Sequence, residues 1–243
     1  MLGCAQTNKH QADNPLDPFN SIQINEWSSD IDFFSSELEK RHIDLYHRIS
    51  EEDLKSELSD LKASLPRINK YQLMTEMMRI TRLIGDGHTL FSYWGHGYSR
   101  FPVYFKLFDE QLRVIKTTPE LSYLMGKKLV SIEGIDVSEV IKRVNPVVQG
   151  VDNQHSLEYF LPLTLNVAEV LYGLGITKKL NIASFEFSDE TELKTTIALT
   201  SIPNDKLKES VTESLVKYHS KFGEILESTD GLLLSANLQT KTA

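Results

Sequence analysis

The sequence predicts an α+β fold, in which an N-terminal helical bundle precedes a small β-sheet or barrel with further helices and a β-hairpin. Apolar residues recur at helical spacing up to residue 84, and strand-like alternation begins near residue 100. The 243 residues are 40% hydrophobic and 25% charged, which is ordinary for a globular chain and excludes collagen-like, coiled-coil and wholly disordered proteins.

Three helices are predicted in the first hundred residues, over 27–41, 50–65 and 69–84. Each of the last two carries a single apolar stripe, as an amphipathic helix packed on a core does. The stripes consist of Leu54, Leu58, Leu61 and Leu65 in one helix and Leu73, Met77, Ile80 and Ile84 in the other. Pro66 and Gly85 are expected to end them.

Strands dominate the prediction after the third helix. They are expected at 89–94, 101–108, 112–117, 129–132, 180–187, 192–199 and 232–234. Val103, Phe105 and Leu107 alternate with polar residues, which is typical of a strand with one buried face. Helices are expected at 137–144, at 152–174 with an interruption near Pro162, and at 204–226.

Charge and cysteine content exclude several classes of function. The formal net charge is −8, which disfavours nucleic acid as a partner. No apolar run approaches the roughly 18–20 residues that span a bilayer. The single cysteine, Cys4, excludes an internal disulfide framework and a cysteine-based zinc site.

The extreme N-terminus, Leu2-Gly3-Cys4, resembles the end of a bacterial lipobox, where the cysteine is acylated after signal-peptide cleavage. A polar stretch with two X-Pro steps follows and predicts a flexible tether over residues 1–26. The resemblance implies lipidation at Cys4, membrane contact through the lipid anchor only, and a place in the bacterial cell envelope, periplasmic or at the outer membrane. A chance cysteine in a disordered tail is the alternative.

Three later segments together resemble the N-terminal half of the S41 family of serine peptidases, which includes tail-specific and tricorn-core-like enzymes. They are Leu83-Ile84-Gly85-Asp86-Gly87-His88-Thr89, Phe101-Pro102-Val103-Tyr104-Phe105 with Leu112-Arg113-Val114-Ile115, and Gly126-Lys127-Lys128-Leu129-Val130-Ser131-Ile132-Glu133-Gly134-Ile135-Asp136-Val137. The third is similar to a stretch of PDZ modules. The resemblance covers about residues 30–200.

The C-terminal part departs from this family pattern. Gly231-Leu232-Leu233-Leu234 leads into no Gly-Gly loop, and about 40 residues after Pro203 are too few for a domain of ordinary size. The expected organisation is a helical domain over 27–88, a PDZ-like domain over 89–150, and helices and a hairpin over 151–243 that lead toward a catalytic core missing from this chain. Alone, the chain is expected to be inactive.

The resemblance implies that His88 is the general base of the serine nucleophile. A base with a pKa near neutrality has to accept the serine proton and return it to the leaving amine, and histidine suits this task. Asp86 is expected to cap the helix, or to orient the imidazole. The alternative is that Asp86 and His88 only shape the turn between the two elements.

A metal site and a Ser–Lys dyad are both disfavoured. Asp86, His88 and His96 have poor spacing for a metal site, so no metal is expected. Lys127 and Lys128 invite a Ser–Lys dyad, but both are expected to face water and therefore to keep their ordinary basicity. No cofactor is expected.

Peptide or protein substrates are the expected partners, and the oligomeric state is left open. The PDZ-like segment is expected to bind peptides weakly at a sheet edge, because the usual carboxylate loop of PDZ modules is not recognisable. The alternative function is a non-catalytic peptide-binding or scaffold lipoprotein with a PDZ-like module.

Overall fold

The computed structural model describes residues 15–93 and 97–210, together with the backbone of 218–220, 223–226 and 235–236. It has an α+β architecture, as the sequence predicts: three N-terminal helices pack beside an antiparallel sheet that carries further helices. No helix in these residues is both long and apolar enough to cross a membrane. Cys4, His96 and the predicted strand 232–234 lie outside the described residues.

The N-terminal helices are α1 (Ser21–Arg41), α2 (Glu51–Ser64) and α3 (Lys70–Ile84). Helix α1 begins six residues earlier than predicted, so the last part of the expected tether is helical. The reason is a capping box that the prediction missed: the Asn20 side chain accepts the amide of Gln23, and the Gln23 side chain accepts the amide of Asn20.

The predicted stripes of α2 and α3 are buried together. They form one hydrophobic cluster with Ile31 of α1 and with Leu45 and Ile49 of the loop between α1 and α2. Its members on α2 and α3, with the adjoining Leu65, are Leu54, Leu58, Leu61, Leu65, Leu73, Met77, Ile80 and Ile84. Helical periodicity therefore located this core correctly.

The main sheet is antiparallel. Its strands are β2 (Val103–Phe108), β3 (Gln111–Thr117), β4 (Lys128–Ile132), β5 (Ile135–Asp136), β6 (Ile182–Ser188) and β7 (Lys194–Thr200). They lie in the order β2-β3-β4-β6-β7, and the short β5 pairs with β4. A small separate pair joins β1 (Ser99–Arg100) to β8 (Ile202–Pro203). Strands β6 and β7 thus extend the same sheet beyond residue 150, where the sequence predicts a domain boundary.

Helices α4 (Val137–Val144), α5 (Gln154–Thr164) and α6 (Ala168–Gly173) accompany the sheet. The sheet and these helices enclose a second hydrophobic cluster, whose largest fully buried members include Phe101, Phe105, Phe185 and Phe187. Helix α6 also meets α3 closely, because a Cβ at Gly173 would lie 2.4 Å from the carbonyl oxygen of Tyr71. Glycine is required there by the backbone contact.

The predicted helical break near Pro162 is confirmed, because α5 ends at Thr164 and α6 begins at Ala168, although Pro162 itself lies inside α5. The cause is pairing with another segment. The backbone carbonyl of Asn166 accepts the amide of Phe101, and Val167 forms a bridge with Arg100. Strand-like contact therefore takes residues 166–167 out of the helix.

Two element predictions are wrong. Of the strand predicted at 89–94, the described residues 89–93 form no strand, because the amide of Phe91 donates to the Gln149 side chain instead of to a neighbouring strand. The helix expected over 204–226 is described only as α7 (Asn204–Ser210), while Tyr218–Ser220 and Gly223–Leu226 pair as antiparallel strands. Gly223 is a poor helix former, which the periodicity argument overlooked.

Candidate functional site

The candidate site is the turn that follows α3. Gly85 ends this helix in the left-handed region, with φ +78°, where glycine carries no steric penalty. The amide of Thr89 then donates to the carbonyl of Asp86 at 3.2 Å. The chain is thereby folded back on itself, and His88 is placed at the outer end of the turn.

Asp86 organises the turn with both carboxylate oxygens. Oδ1 accepts the backbone amide of His88 at 3.0 Å, and Oδ2 accepts the hydroxyl of Thr89 at 2.8 Å. These two hydrogen bonds, with a smaller contribution from His42, lower the pKa of Asp86 to about 2. Asp86 is therefore ionised across the physiological pH range.

His88 projects from this turn into solvent, with 93% of its side chain exposed. Its Nδ1 lies 3.5 Å from Asp86 Oδ1. Asp86 does not cap α3, which is one of its two expected roles; it shapes the turn and lies beside the imidazole.

A second histidine, His42, approaches Asp86 from the loop after α1. Its Nε2 lies 3.3 Å from Asp86 Oδ2, and only 10% of its side chain is exposed. The nitrogen is buried and lacks a well-directed hydrogen bond among the described residues. No sequence pattern connects residue 42 with residue 86, because the contact depends on how α1 and α3 pack.

The turn is anchored from the segment after α4, at positions that sequence reasoning missed. Asp152 Oδ1 accepts the amide of Gly87 at 2.7 Å, and Gln149 Oε1 accepts the amide of Phe91 at 2.8 Å. A Cβ at Gly87 would lie 2.6 Å from the Asp152 carboxylate, so a larger residue there would displace this side chain from the turn. In the sequence, Gln149 and Asp152 look like ordinary polar loop residues.

Asp86, His88 and Asp152 present oxygen and nitrogen atoms within 4.8 Å of one another. Such a set has the chemistry to hold a divalent cation. However, both Asp86 oxygens and one Asp152 oxygen already accept hydrogen bonds from the turn. The arrangement therefore has a sufficient structural explanation in the folding of the turn itself.

Lys127 and Lys128 do not face water as expected, because only 17% of each side chain is exposed. Both side chains contact the acidic loop that joins β6 to β7, and Lys127 also contacts the start of β7. Lys127 Nζ donates to Thr195 Oγ1 and lies 4.0 Å from Asp189, and Lys128 Nζ donates to Glu192. Their charges hold this hairpin to the start of β4.

Two cavities border the segment that follows the turn. One, of about 470 Å³, lies between α3 and residues 90–93, and Glu169 contributes to its wall. The other, of about 410 Å³, lies between β1, α5 and α7. Tyr93 and Tyr98 line both cavities, so the two are neighbouring, half-open spaces of ligand size.

No family model matches the sequence, and no curated protein matches it. The fold, in contrast, is found in solved structures of CPAF, a chlamydial serine protease. A CPAF mutant superposes with a TM-score of 0.57 at 11% identity over 75% of this chain. CPAF complexed with lactacystin gives 0.53 at 12% identity, and mature CPAF gives 0.51 at 12%, each again over 75% of this chain.

The fold of this chain is therefore similar to that of part of the CPAF chains. This chain spans about a third of the length of the CPAF chains, 35% or 36% in each comparison. At 11–12% identity the similarity concerns the fold, and it assigns no role to any single residue.

The ionised Asp86 makes a testable contribution to stability. Its folded pKa lies below the ordinary value of 3.8, so its stabilising effect is complete above about pH 4 and is lost as the pH falls toward 2. We expect Asp86→Asn to lower the free energy of unfolding by about 1.5 kcal/mol at pH 6, the lower end for a hydrogen bond to a charged group. Urea unfolding at pH 6, 4 and 2.5 measures this.

The difference in free energy of unfolding between Asp86→Asn and the wild type should be smaller at pH 2.5 than at pH 6. Asp30→Asn, which removes an exposed carboxylate on α1, is the matched control and should leave unfolding nearly unchanged at each pH. If Asp86→Asn lowered the free energy of unfolding as much at pH 2.5 as at pH 6, the stabilisation could not be assigned to the ionised carboxylate.

Proposed function

We propose that this chain is the N-terminal portion of a bacterial S41-like serine peptidase, with His88 as the general base. The nucleophilic serine and the oxyanion hole would be supplied by a catalytic core corresponding to the part of the CPAF chains that this chain does not cover. The observation that carries the proposal is the pair formed by exposed His88 and ionised Asp86, on a fold that also occurs in a serine protease.

The chemistry follows from this pair. The imidazole has to take a proton from the attacking serine hydroxyl and donate it to the leaving amine. A carboxylate beside Nδ1 stabilises the positive imidazolium that forms between the two steps and favours the tautomer whose Nε2 is free to accept the proton. The exposed side of the ring would be covered when the core docks against the turn.

The anchors from Gln149 and Asp152 support the same role. A catalytic base has to stay within a fraction of an ångström of its working position. The turn is held by its own Asp86 hydrogen bonds and by two side chains from a different part of the chain. This arrangement restricts the backbone of His88 while the ring stays accessible.

The decisive experiment compares His88→Ala with His155→Ala in the protein that carries this chain together with the proposed core. His155 is a matched control, since its side chain is 95% exposed on α5. We expect kcat to fall by about 10²–10⁴-fold for His88→Ala only, with thermal stability changed by less than about 1 kcal/mol. Equal activity of the two variants would exclude His88 as the base.

The envelope location is a further part of the proposal. When the chain is produced behind a complete signal peptide, Cys4→Ser should move it from the membrane fraction to the soluble fraction, because the acylated thiol is lost. Gln6→Ser, which leaves the cysteine intact, should stay with the membrane. Unchanged partition of Cys4→Ser would contradict lipid anchoring.

A non-catalytic peptide-binding protein is the second candidate, and the position of β2 favours it. This strand forms one edge of the main sheet, where an extended peptide can add a further strand. Adding peptides to the isotopically labelled chain should shift the amide resonances of 101–133, above all those of β2. Shifts confined to the helices at 30–84 would contradict this surface.

A further inference from the structure

The cavity beside β1 contains a buried charge that the proposed peptidase chemistry does not use. Arg100 lines the cavity, and the whole residue is only 7% exposed. Its Nε donates to Asn204 Oδ1 at 3.1 Å, and its Nη1 donates to the carbonyl of Leu163 and to Asn166 Oδ1. All three acceptors are neutral.

This guanidinium forms no salt bridge in the part of the chain that the structure describes, and the buried carboxylate of Glu169 attracts it only at longer range. No carboxylate oxygen there lies within 4.0 Å of its nitrogens. The nearby Glu169 directs both of its oxygens to the amide of Ser99, at 3.0 Å each. Buried charges in proteins are normally paired, because removing an ion from water is costly.

One nitrogen of Arg100 is available for a ligand. Nη2 makes no hydrogen bond with the described residues, whereas Nε and Nη1 are held by Asn204, Leu163 and Asn166. The fixed nitrogens orient the guanidinium plane, so Nη2 presents its two N–H donors in a set direction. A preorganised donor of this kind recognises an anion with little loss of side-chain entropy.

Aromatic rings and a second cation complete the cavity. Tyr93 and Tyr98 meet edge to face, with ring centroids 5.0 Å apart, and Phe160 adds a further apolar surface. Tyr98 also stacks on Arg100, whose guanidinium carbon lies 5.1 Å from the ring centroid. Lys208 of α7 lines the same cavity from an exposed position.

We propose that this cavity binds a small carboxylate that carries an aromatic or apolar group. The carboxylate would pair with Arg100 through Nη2, with Lys208 assisting, and the apolar group would pack on Tyr93, Tyr98 and Phe160. A singly charged carboxylate adds one negative charge beside Arg100, whereas a doubly charged phosphate would add two in a partly apolar cavity near the buried Glu169. The proposal is independent of the peptidase activity.

The test is a titration of the isotopically labelled chain with 3-phenylpropanoate, with N-acetyl-L-phenylalanine and with the neutral 3-phenylpropanamide. The two acids represent a free metabolite-like acid and the terminal residue of a peptide. We expect at least one acid to shift the resonances of Tyr98 and of the Arg100 side chain, and to bind at least about tenfold more tightly than the amide. The acid that binds with the higher affinity shows whether the carboxylate comes from a free acid or from a peptide terminus.

Variants locate the charge contacts. Lys208→Gln should weaken acid binding about threefold, as for an exposed charge, while Lys206→Gln on the same helix should leave it unchanged. Arg100→Gln should abolish binding. Circular dichroism shows whether Arg100→Gln folds. If it does not, the test depends on two measurements: the affinities of Lys208→Gln and Lys206→Gln for the acid, and the shift of the Arg100 side-chain resonance in the wild type.

Three results would overturn the proposal. They are equal affinity for the acid and the amide, tighter binding of phenyl phosphate than of either acid, and resonance shifts that spare Tyr98 and Arg100. None of them bears on His88, so failure here is distinguishable from failure of the peptidase hypothesis.

Discussion

The buried amide of Gln149 connects the parts of this molecule that matter for its site. Its Nε2 donates to the carbonyls of Met78 and Val147, and its Oε1 accepts the Phe91 amide and the Thr81 hydroxyl. Four hydrogen bonds thus join α3, the segment after α4 and the segment after the His88 turn. Loss of such a side chain would leave buried polar groups unpaired, at about 1–3 kcal/mol each.

Much of the fold follows from local sequence patterns. The stripes of α2 and α3 located one core, and the alternation of Val103 and Phe105 located a buried strand face. Helix α4 lies at the predicted residues, 137–144. These successes share a cause: burial of one face imposes a period that the sequence has to display.

The failures also share a cause, which is competition from distant partners. Residues 90–93 have the composition of a strand, but Gln149 takes the Phe91 amide. His42 and Asp152 reach the candidate turn from 44 and 66 residues away from Asp86 in the sequence. A single sequence carries no periodic signal for such contacts. The proximity of His88 to Asp86 is predictable because the two residues are neighbours in the chain.

Helix α3 belongs to both hydrophobic clusters at once. Met77, Ile80 and Ile84 face the N-terminal helices, whereas Met78 is packed in the cluster beneath the sheet. Phe91 also contacts both clusters. The two halves therefore share side chains across the predicted boundary at residue 88, and loss of either half would expose apolar surface of the other. Cooperative unfolding in a single transition is the physical consequence, and a protease would be unable to release the helical half as a stable fragment.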